Sequence, residues 1–297
     1  MNSFLKRALL SFERQGFFNL LPDRLYLQLM FRTNMDQKLD LKNPKTFNQK
    51  LQWLKLYDRK PQYTDMVDKY EAKRYVAGRI GEEYIIPTYG VWDKFEDIDF
   101  DALPDQFVLK CTHDCGGLVI CRDKSKLDKE AARVKIDKCL KRNYYYHGRE
   151  WPYKNVKPRI LAEKYITADG KVPEDYKIFC FNGKAKMILM CAERFDDSGL
   201  KENFYDLDWN LLEVQRLLHG NTQYPIPRPK QLEKMLSLAE SLAKEESFLR
   251  VDFYDVNGQL YFGELTFFPT SGWGPFVPEK WDMTFGEWIE LPKLKIE

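Results

Sequence analysis

Two Asn-Gly dipeptides constrain this chain more than any other feature. Asn182-Gly183 joins Tyr176–Phe181 to Lys184–Glu193, and Asn257-Gly258 joins Leu249–Asp255 to Gln259–Phe267. The flanking runs are rich in β-branched and aromatic residues, and Asn-Gly supplies the positive φ angles of a tight hairpin. The second half must therefore hold antiparallel hairpins. Further strand candidates are Tyr84–Trp92, Gln106–Cys111, Leu118–Cys121 and Arg159–Ile166. Helical spacing alternates with them. One helix is expected over 64–80 with Gly81 as its stop, and one runs from an Asp128 cap to about Arg142. A third carries the stripe Leu232, Met235, Leu236, Ala239, Leu242 and Ala243 after the Pro-rich linker 224–230. This pattern gives an α+β (mixed α/β) fold class.

Residues 1–60 read as helical, with a break at Pro22-Asp23. Lys6, Arg7, Arg14, Arg24 and Arg32 outnumber Glu13 and Asp23 there. Two readings fit: helices lying on a membrane surface, or packing helices with a solvated basic face. The modest apolar stripe favours packing.

Composition excludes several classes. The chain has 297 residues, and its 47 Lys+Arg against 45 Asp+Glu give a net charge of +2, too little for a dedicated nucleic-acid binder. No apolar run reaches the roughly 18 residues of a spanning helix, and the first residues show no signal-peptide pattern. Of six cysteines only Cys111 and Cys115 are close, without a second pair, so reduced cytoplasmic thiols are expected instead of zinc.

Three segments carry chemistry. In QFVLKCTHDCGGLVI, Lys110 ends a strand beside a glycine loop, which suits phosphate oxygens, although read alone such a segment is more often an ordinary hairpin. ILAEKYI places one acid, Glu163, on a strand. In the last hairpin, Asp252 and Glu264 sit on opposite arms among apolar residues, either as a hard oxygen site for Mg²⁺ or as solvated edge acids. Register separates these two. A strict two-residue turn pairs Asp252 with Gly263 and sends Glu264 to the other face. The metal reading therefore requires a three-residue loop over Val256–Gly258 or a bulge elsewhere in the hairpin.

The order of these pieces resembles the ATP-grasp superfamily and, within it, the TupA-like ATP-grasp proteins of teichuronopeptide and surface-polysaccharide biosynthesis. The resemblance runs from NPKTFNQKLQWLKLYDRKP (43–61) through MVDKYEAKRYV, ILAEKYI and DYKIFCFNGKAKMI to the last hairpin. It implies an ATP-grasp fold with two α+β subdomains gripping ATP. Residues 1–62 would be an N-terminal helical segment and 63–290 the ATP-grasp domain, with a small lid subdomain at about 106–166 and a metal-binding subdomain at about 167–290.

The resemblance also assigns roles. Lys69 and Lys110 would be the nucleotide-binding lysines, and His113, Gly116 and Gly117 part of the loop closing over the phosphates. Glu163, Tyr165 and Ile166 would hold the adenine, and Asp175 the ribose. Lys177 and Arg194 would serve the reacting groups, while Asp252, Glu264, Asn203 and Thr266 would lie at the metal. Thr266 stands where the superfamily usually has asparagine. The implied activity is an ATP- and Mg²⁺-dependent carboxylate–amine ligase. It would attach an amino acid or other amine to a uronic acid or related carboxylate, in the cytoplasm and by one reading at the inner face of the membrane. Acceptor-side candidates are the basic–aromatic stretch Arg142–Trp151 and the segment 269–276. Two rivals stand beside it: a glycosyltransferase using Asp206-Leu207-Asp208, and a non-catalytic partner in a glycan-assembly complex.

Overall fold

The computed structural model describes residues 2–114, 116–168, 170–193, 199–216 and 219–293. The chain opens with α1 (Ser3–Arg14), α2 (Asp23–Met35) and α3 (Phe47–Tyr57). The helix expected over 64–80 is broken into α4 (Tyr63–Val67) and α5 (Glu71–Ile80). Asp68 interrupts it by taking the N–H groups of Tyr70 and Glu71 onto its carboxylate at 2.8 and 3.3 Å. Such local competition with the helix ladder is invisible to apolar spacing. Lys69 sits in the break, and its own N–H donates to the Thr112 carbonyl at 3.0 Å.

Next come β1 (Thr88–Trp92), β2 (Phe107–Cys111), β3 (Leu118–Cys121), α6 (Lys129–Leu140) and β4 (Ile160–Lys164). Asp128 caps α6 through the Ala131 N–H. They are followed by β5 (Glu174–Phe181), β6 (Lys184–Ala192), β7 (Lys201–Tyr205), β8 (Gln215–Arg216) and α7 (Leu232–Ala243). The chain ends with β9 (Phe248–Val256), β10 (Gln259–Thr266), β11 (Phe276–Val277) and α8 (Lys280–Trp288).

Both Asn-Gly turns form as two-residue connections, with Phe181 opposite Lys184 and Val256 opposite Gln259. They build an antiparallel sheet in the order β10-β9-β5-β6-β7. The apolar stripe of α7 packs across β9, β5 and β6, in one large core with α2, α3 and α8. A second sheet, β1-β4-β2-β3, has its own smaller core, in which Phe107, Leu109, Ile160 and Ala162 meet Ile136 and Cys139 of α6. Two cores that do not merge leave a cleft between the sheets.

In the Arg142–Trp151 stretch, Arg149 is packing and not an open cation, while Arg142 and His147 stay exposed. Arg149 is buried, donates to the carbonyls of Phe18, Asn19 and Leu21, and lies 4.3 Å from the Tyr26 ring. It ties this insertion to the N-terminal helices.

The two turns make different demands. Both glycines are left-handed, at φ 77° and 88°, but a Cβ on Gly183 would meet the Lys244 carbonyl oxygen at 2.9 Å, while one on Gly258 meets nothing within 4 Å. Gly258→Ala should cost about 1 kcal/mol from backbone strain alone. Gly183→Ala should cost more, roughly 2–3 kcal/mol, when both are measured by denaturant unfolding.

Candidate functional site

The last hairpin decides the site. Its turn is tight, so the register sends Asp252 and Glu264 apart until a bulge intervenes. Phe262 pairs with Phe253, but Leu265 pairs with Val251. Gly263 and Glu264 together oppose Asp252, and the extra residue brings both carboxylates to one face. A Cβ on Gly263 would press on the Asp252 carbonyl at 3.2 Å, so the bulge has a residue that fits it.

The neighbouring strand adds Lys177, directly opposite Asp252. Its ammonium bridges Asp252 and Asp175, the latter at 2.8 Å. Arg250, two residues before Asp252 and on the same face, binds Asp252 at 2.7 Å and Glu264 at 2.6 Å. The Thr266 hydroxyl donates to Glu264 at 3.2 Å. Burial pushes the Glu264 carboxyl up, but Arg250, Lys177, Lys69 and Thr266 outweigh it and hold it at about 2. Glu264 still keeps 44% of its side chain exposed towards the cleft. Asp252 is pushed upward, because burial and its acidic neighbours Glu264 and Asp175 exceed the pull of its two cations. Three carboxylates against two cations leave surplus negative charge at a place rich in hard oxygens, which fits Mg²⁺.

The second sheet supplies the other wall. Lys110 on β2 forms an ion pair with Glu163 on β4, whose second oxygen takes Lys73 at 2.9 Å. Burial raises the Glu163 carboxyl, but Lys110 and Lys73 bring it below the usual range. Lys69 donates its ammonium to the Asp114 carbonyl at 2.7 Å, at the root of the glycine loop. A Cβ on Gly117 would strike the sulfurs of Cys111 and Cys139 at 2.3 and 2.7 Å, so this position admits only glycine.

Between the walls lies a polar chamber of about 220 Å³ lined by Lys69, Lys73, Lys110, Lys177, Asp252 and Glu264. It adjoins a larger groove of about 710 Å³ with Val108, Ile120, Tyr165, Ile166, Met190 and Tyr254 in its walls. Asp175, Lys110 and Glu163 line both. A chamber of cations and carboxylates beside an apolar groove suits a ligand with a polyphosphate end and a planar end.

Of the residues expected at the site, Lys69, Lys110, Gly117, Glu163, Tyr165, Ile166, Asp175, Lys177, Asp252 and Glu264 line this cleft, and Thr266 touches Glu264. His113 and Gly116 are not brought to its walls: His113 is buried with Nε2 3.2 Å from the Cys139 carbonyl, and Gly116 donates to Asp114 at 2.7 Å. Asn203 shares a register row with Met190, Tyr176 and Phe253, next to the row of Asp252, so it points to the sheet's other face. Its amide is bound to the hydroxyls of Tyr205 and Thr222 at 3.0 and 2.9 Å. Arg194 lies outside the described residues. Two participants escaped sequence reasoning. Lys73 lies one helical turn beyond Lys69, and Arg250 lies one β-period before Asp252. Each spacing was a readable signal.

The remaining candidates serve the structure. Ser271 donates to Glu150, and its carbonyl accepts from Lys55 at 2.8 Å. In Asp206-Leu207-Asp208, the Asp206 carboxylate accepts the N–H groups of Asp208 and Asn210 at 3.0 and 2.8 Å, closing a turn.

The family model described as TupA-like ATP-grasp matches residues 49–290. No curated protein matches the chain. Among solved structures, D-alanine–D-alanine ligase from Bacillus anthracis complexed with ATP is 20% identical at a TM-score of 0.39, covering 68% of this chain and 53% of that one. The purK N5-carboxyaminoimidazole ribonucleotide synthetase in its ADP complex is 16% identical at 0.40, covering 74% and 50%. The ATP-grasp ligase PsnB, complexed with a precursor variant, Mg and ADP, is 11% identical at 0.41, covering 73% and 56%. The chain thus spans about half the length of these solved proteins. The assignment rests on the family match: from residue 49 to residue 290, the chain belongs to the TupA-like ATP-grasp family.

Proposed function

We propose that the chain is an ATP- and Mg²⁺-dependent carboxylate–amine ligase working through an acyl phosphate. The observation that carries this reading is the bulge that sets Asp252 and Glu264 side by side, across the cleft from Lys69, Lys73 and Lys110. In this reading residues 63–290 form the catalytic domain, with a lid at about 106–166 and a metal-binding part at about 167–290. The cytoplasm, where ATP and reduced thiols are found, is the expected compartment.

The chemistry is a double exchange. A carboxylate oxygen attacks the γ-phosphorus and ADP leaves. The amine then attacks the acyl carbon, phosphate departs with the former carboxylate oxygen, and the amine loses a proton. The protein contributes placement and charge. Lys69 and Lys110 bind phosphate oxygens, Glu163 aims Lys110, and the Val108–Ile120 wall takes the base. Lys177, fixed by Asp175 and Asp252, stands at the site of phosphoryl transfer. Asp252 and Glu264 would hold Mg²⁺, with Thr266 beside them; when bound, the metal neutralises charge on the transferring phosphoryl group. The family resemblance supports a uronic acid or related carboxylate of a surface glycan as acceptor and an amino acid as amine. The glycosyltransferase reading loses its support, since the Asp206 carboxylate is engaged in its own turn.

Incubation with Mg²⁺-ATP, uronic acids and amino acids, followed by ADP and phosphate release, tests the proposal. Acceptor-dependent ADP formation should fall by at least about a hundredfold in Lys110→Ala and Glu264→Ala. ATP turnover that ignores the acceptor, or survives both changes, would overturn it.

The Glu163 network sets an acid limit. Its carboxyl titrates below 4.5 in the folded chain, so the stability it adds is complete above 4.5 and drains away as the pH falls further. In Glu163→Gln, melting temperature should drop at neutral pH, and the gap to the parent should narrow on acidification. Parallel melting curves down to low pH would refute this linkage.

A further inference from the structure

The first helix leaves much of its apolar surface outside. A helix on a globular protein normally turns its apolar stripe to the core. In α1 the fully buried residue is Glu13, which accepts from the Tyr26 hydroxyl at 3.0 Å with His147 also at 3.0 Å, while Leu9 and Leu10 are half-buried and Leu10 packs against the core. The outward face carries Phe4, Leu5 and Phe12, which lie within about 100° of one another around the helix. Phe4 is 79% exposed. The patch continues past the helix end: Phe12 and Phe17 touch edge to face at 5.3 Å, and Leu20 is 98% exposed. Leu25 on α2 is exposed as well. The packing that the sequence reading favoured holds for α2, whose Tyr26, Leu27, Met30 and Phe31 are in the core.

Charge identifies the occupant. Arg7, Arg14 and Arg24 are exposed around these side chains. The two acids of the segment are turned inward and engaged, Glu13 by the Tyr26 hydroxyl and His147, and Asp23 by Arg59 at 2.7 Å and Arg149 at 3.3 Å. What faces outward is therefore bulky apolar groups and cations, with no acid from either helix until Asp36 beyond the end of α2. That combination suits an anionic bilayer, whose headgroups take the arginines while the acyl boundary takes Phe and Leu. At 12 residues α1 is about 18 Å long, too short to cross. No helix among the described residues is long and apolar enough to do so. The segment also precedes residue 49, where the family match begins, so it lies outside the matched residues.

We infer that α1 and the turn after it form a peripheral anchor lying flat on an anionic membrane surface and inserting Phe4, Phe12, Phe17 and Leu20. The inference does not depend on the ligase reading.

The test is sedimentation of the full chain with vesicles of phosphatidylglycerol and phosphatidylethanolamine, and with pure phosphatidylcholine. The chain should pellet with the first and far less with the second, and high salt should release it. Phe4→Asp, Phe17→Asp and Leu20→Asp combined should abolish binding without moving the melting temperature, since all three side chains are solvent-facing. Arg7→Gln, Arg14→Gln and Arg24→Gln combined should weaken it on the order of a hundredfold, at about fivefold per cation. Absence of binding to the anionic vesicles, equal binding to both lipids, or full binding by the Asp variant would overturn the inference. So would light scattering that shows a dimer which the Asp variant breaks apart, since a second copy would then cover the patch.

Discussion

A β-strand alternates faces every residue, and the carboxylate wall of the cleft depends on breaking that alternation once. With a tight Asn257-Gly258 turn, an uninterrupted hairpin would leave Asp252 in the cleft and aim Glu264 away from it. One extra residue at Gly263-Glu264 reverses this for Glu264 without moving Asp252, because the register beyond Leu265 simply resumes one step shifted. The turn has to be tight for the upper hairpin to pack, and the bulge has to be near residue 263 for the lower part to carry two acids. Neither feature alone makes the site.

Once the acids share a face, burial dictates their surroundings. Buried carboxylates cannot stay ionised without partners. Lys177 comes from the strand already paired with β9, and Arg250 from one β-period earlier on β9 itself, so the neutralising cations come from elements fixed by the hairpin. The same logic rules the opposite wall, where Glu163 is stable as an anion only because Lys110 and Lys73 approach it from a strand and a helix. Lys73 can do so because Asp68 breaks the helix and restarts it as α5. Across the cleft, one wall offers clustered lysines and the other a surplus of carboxylate. That arrangement suits the polyphosphate and divalent cation of the proposed reaction.

Period-two and period-3.6 patterns made the hairpins, α6 and α7 legible, since their signals lie within a dozen residues. The two carboxylates and their condition for meeting were also legible, as an alternative between loop and bulge, because register is arithmetic. The break at Asp68 was not, since a side chain competing for two backbone N–H groups leaves the apolar spacing untouched. Nor was the inward turn of Arg149, whose basic–aromatic setting reads as an anion site until the three carbonyls it satisfies are seen. Asn203 shows the same limit: its facing depends on the register of β6 with β7, and no turn dipeptide announces that pairing.

The N-terminal helices and the insertion at 142–158 are one packed body. Tyr26 of α2 accepts the Gly148 N–H at 3.0 Å, and Lys55 of α3 donates to the carbonyls of Gly148 and Ser271 at 2.7 and 2.8 Å. Burial pushes the Lys55 ammonium down to about 7 against the pull of Glu150, a large cost for a residue that only packs. What Lys55 secures is the loop at 269–272, in which Thr270 and Ser271 hold left-handed backbone angles of φ 50° and 53°. That loop follows β10, the strand of Glu264, and begins two residues beyond Phe267. The helices and the insertion therefore act on the hairpin from behind, by fixing the strained loop that follows β10.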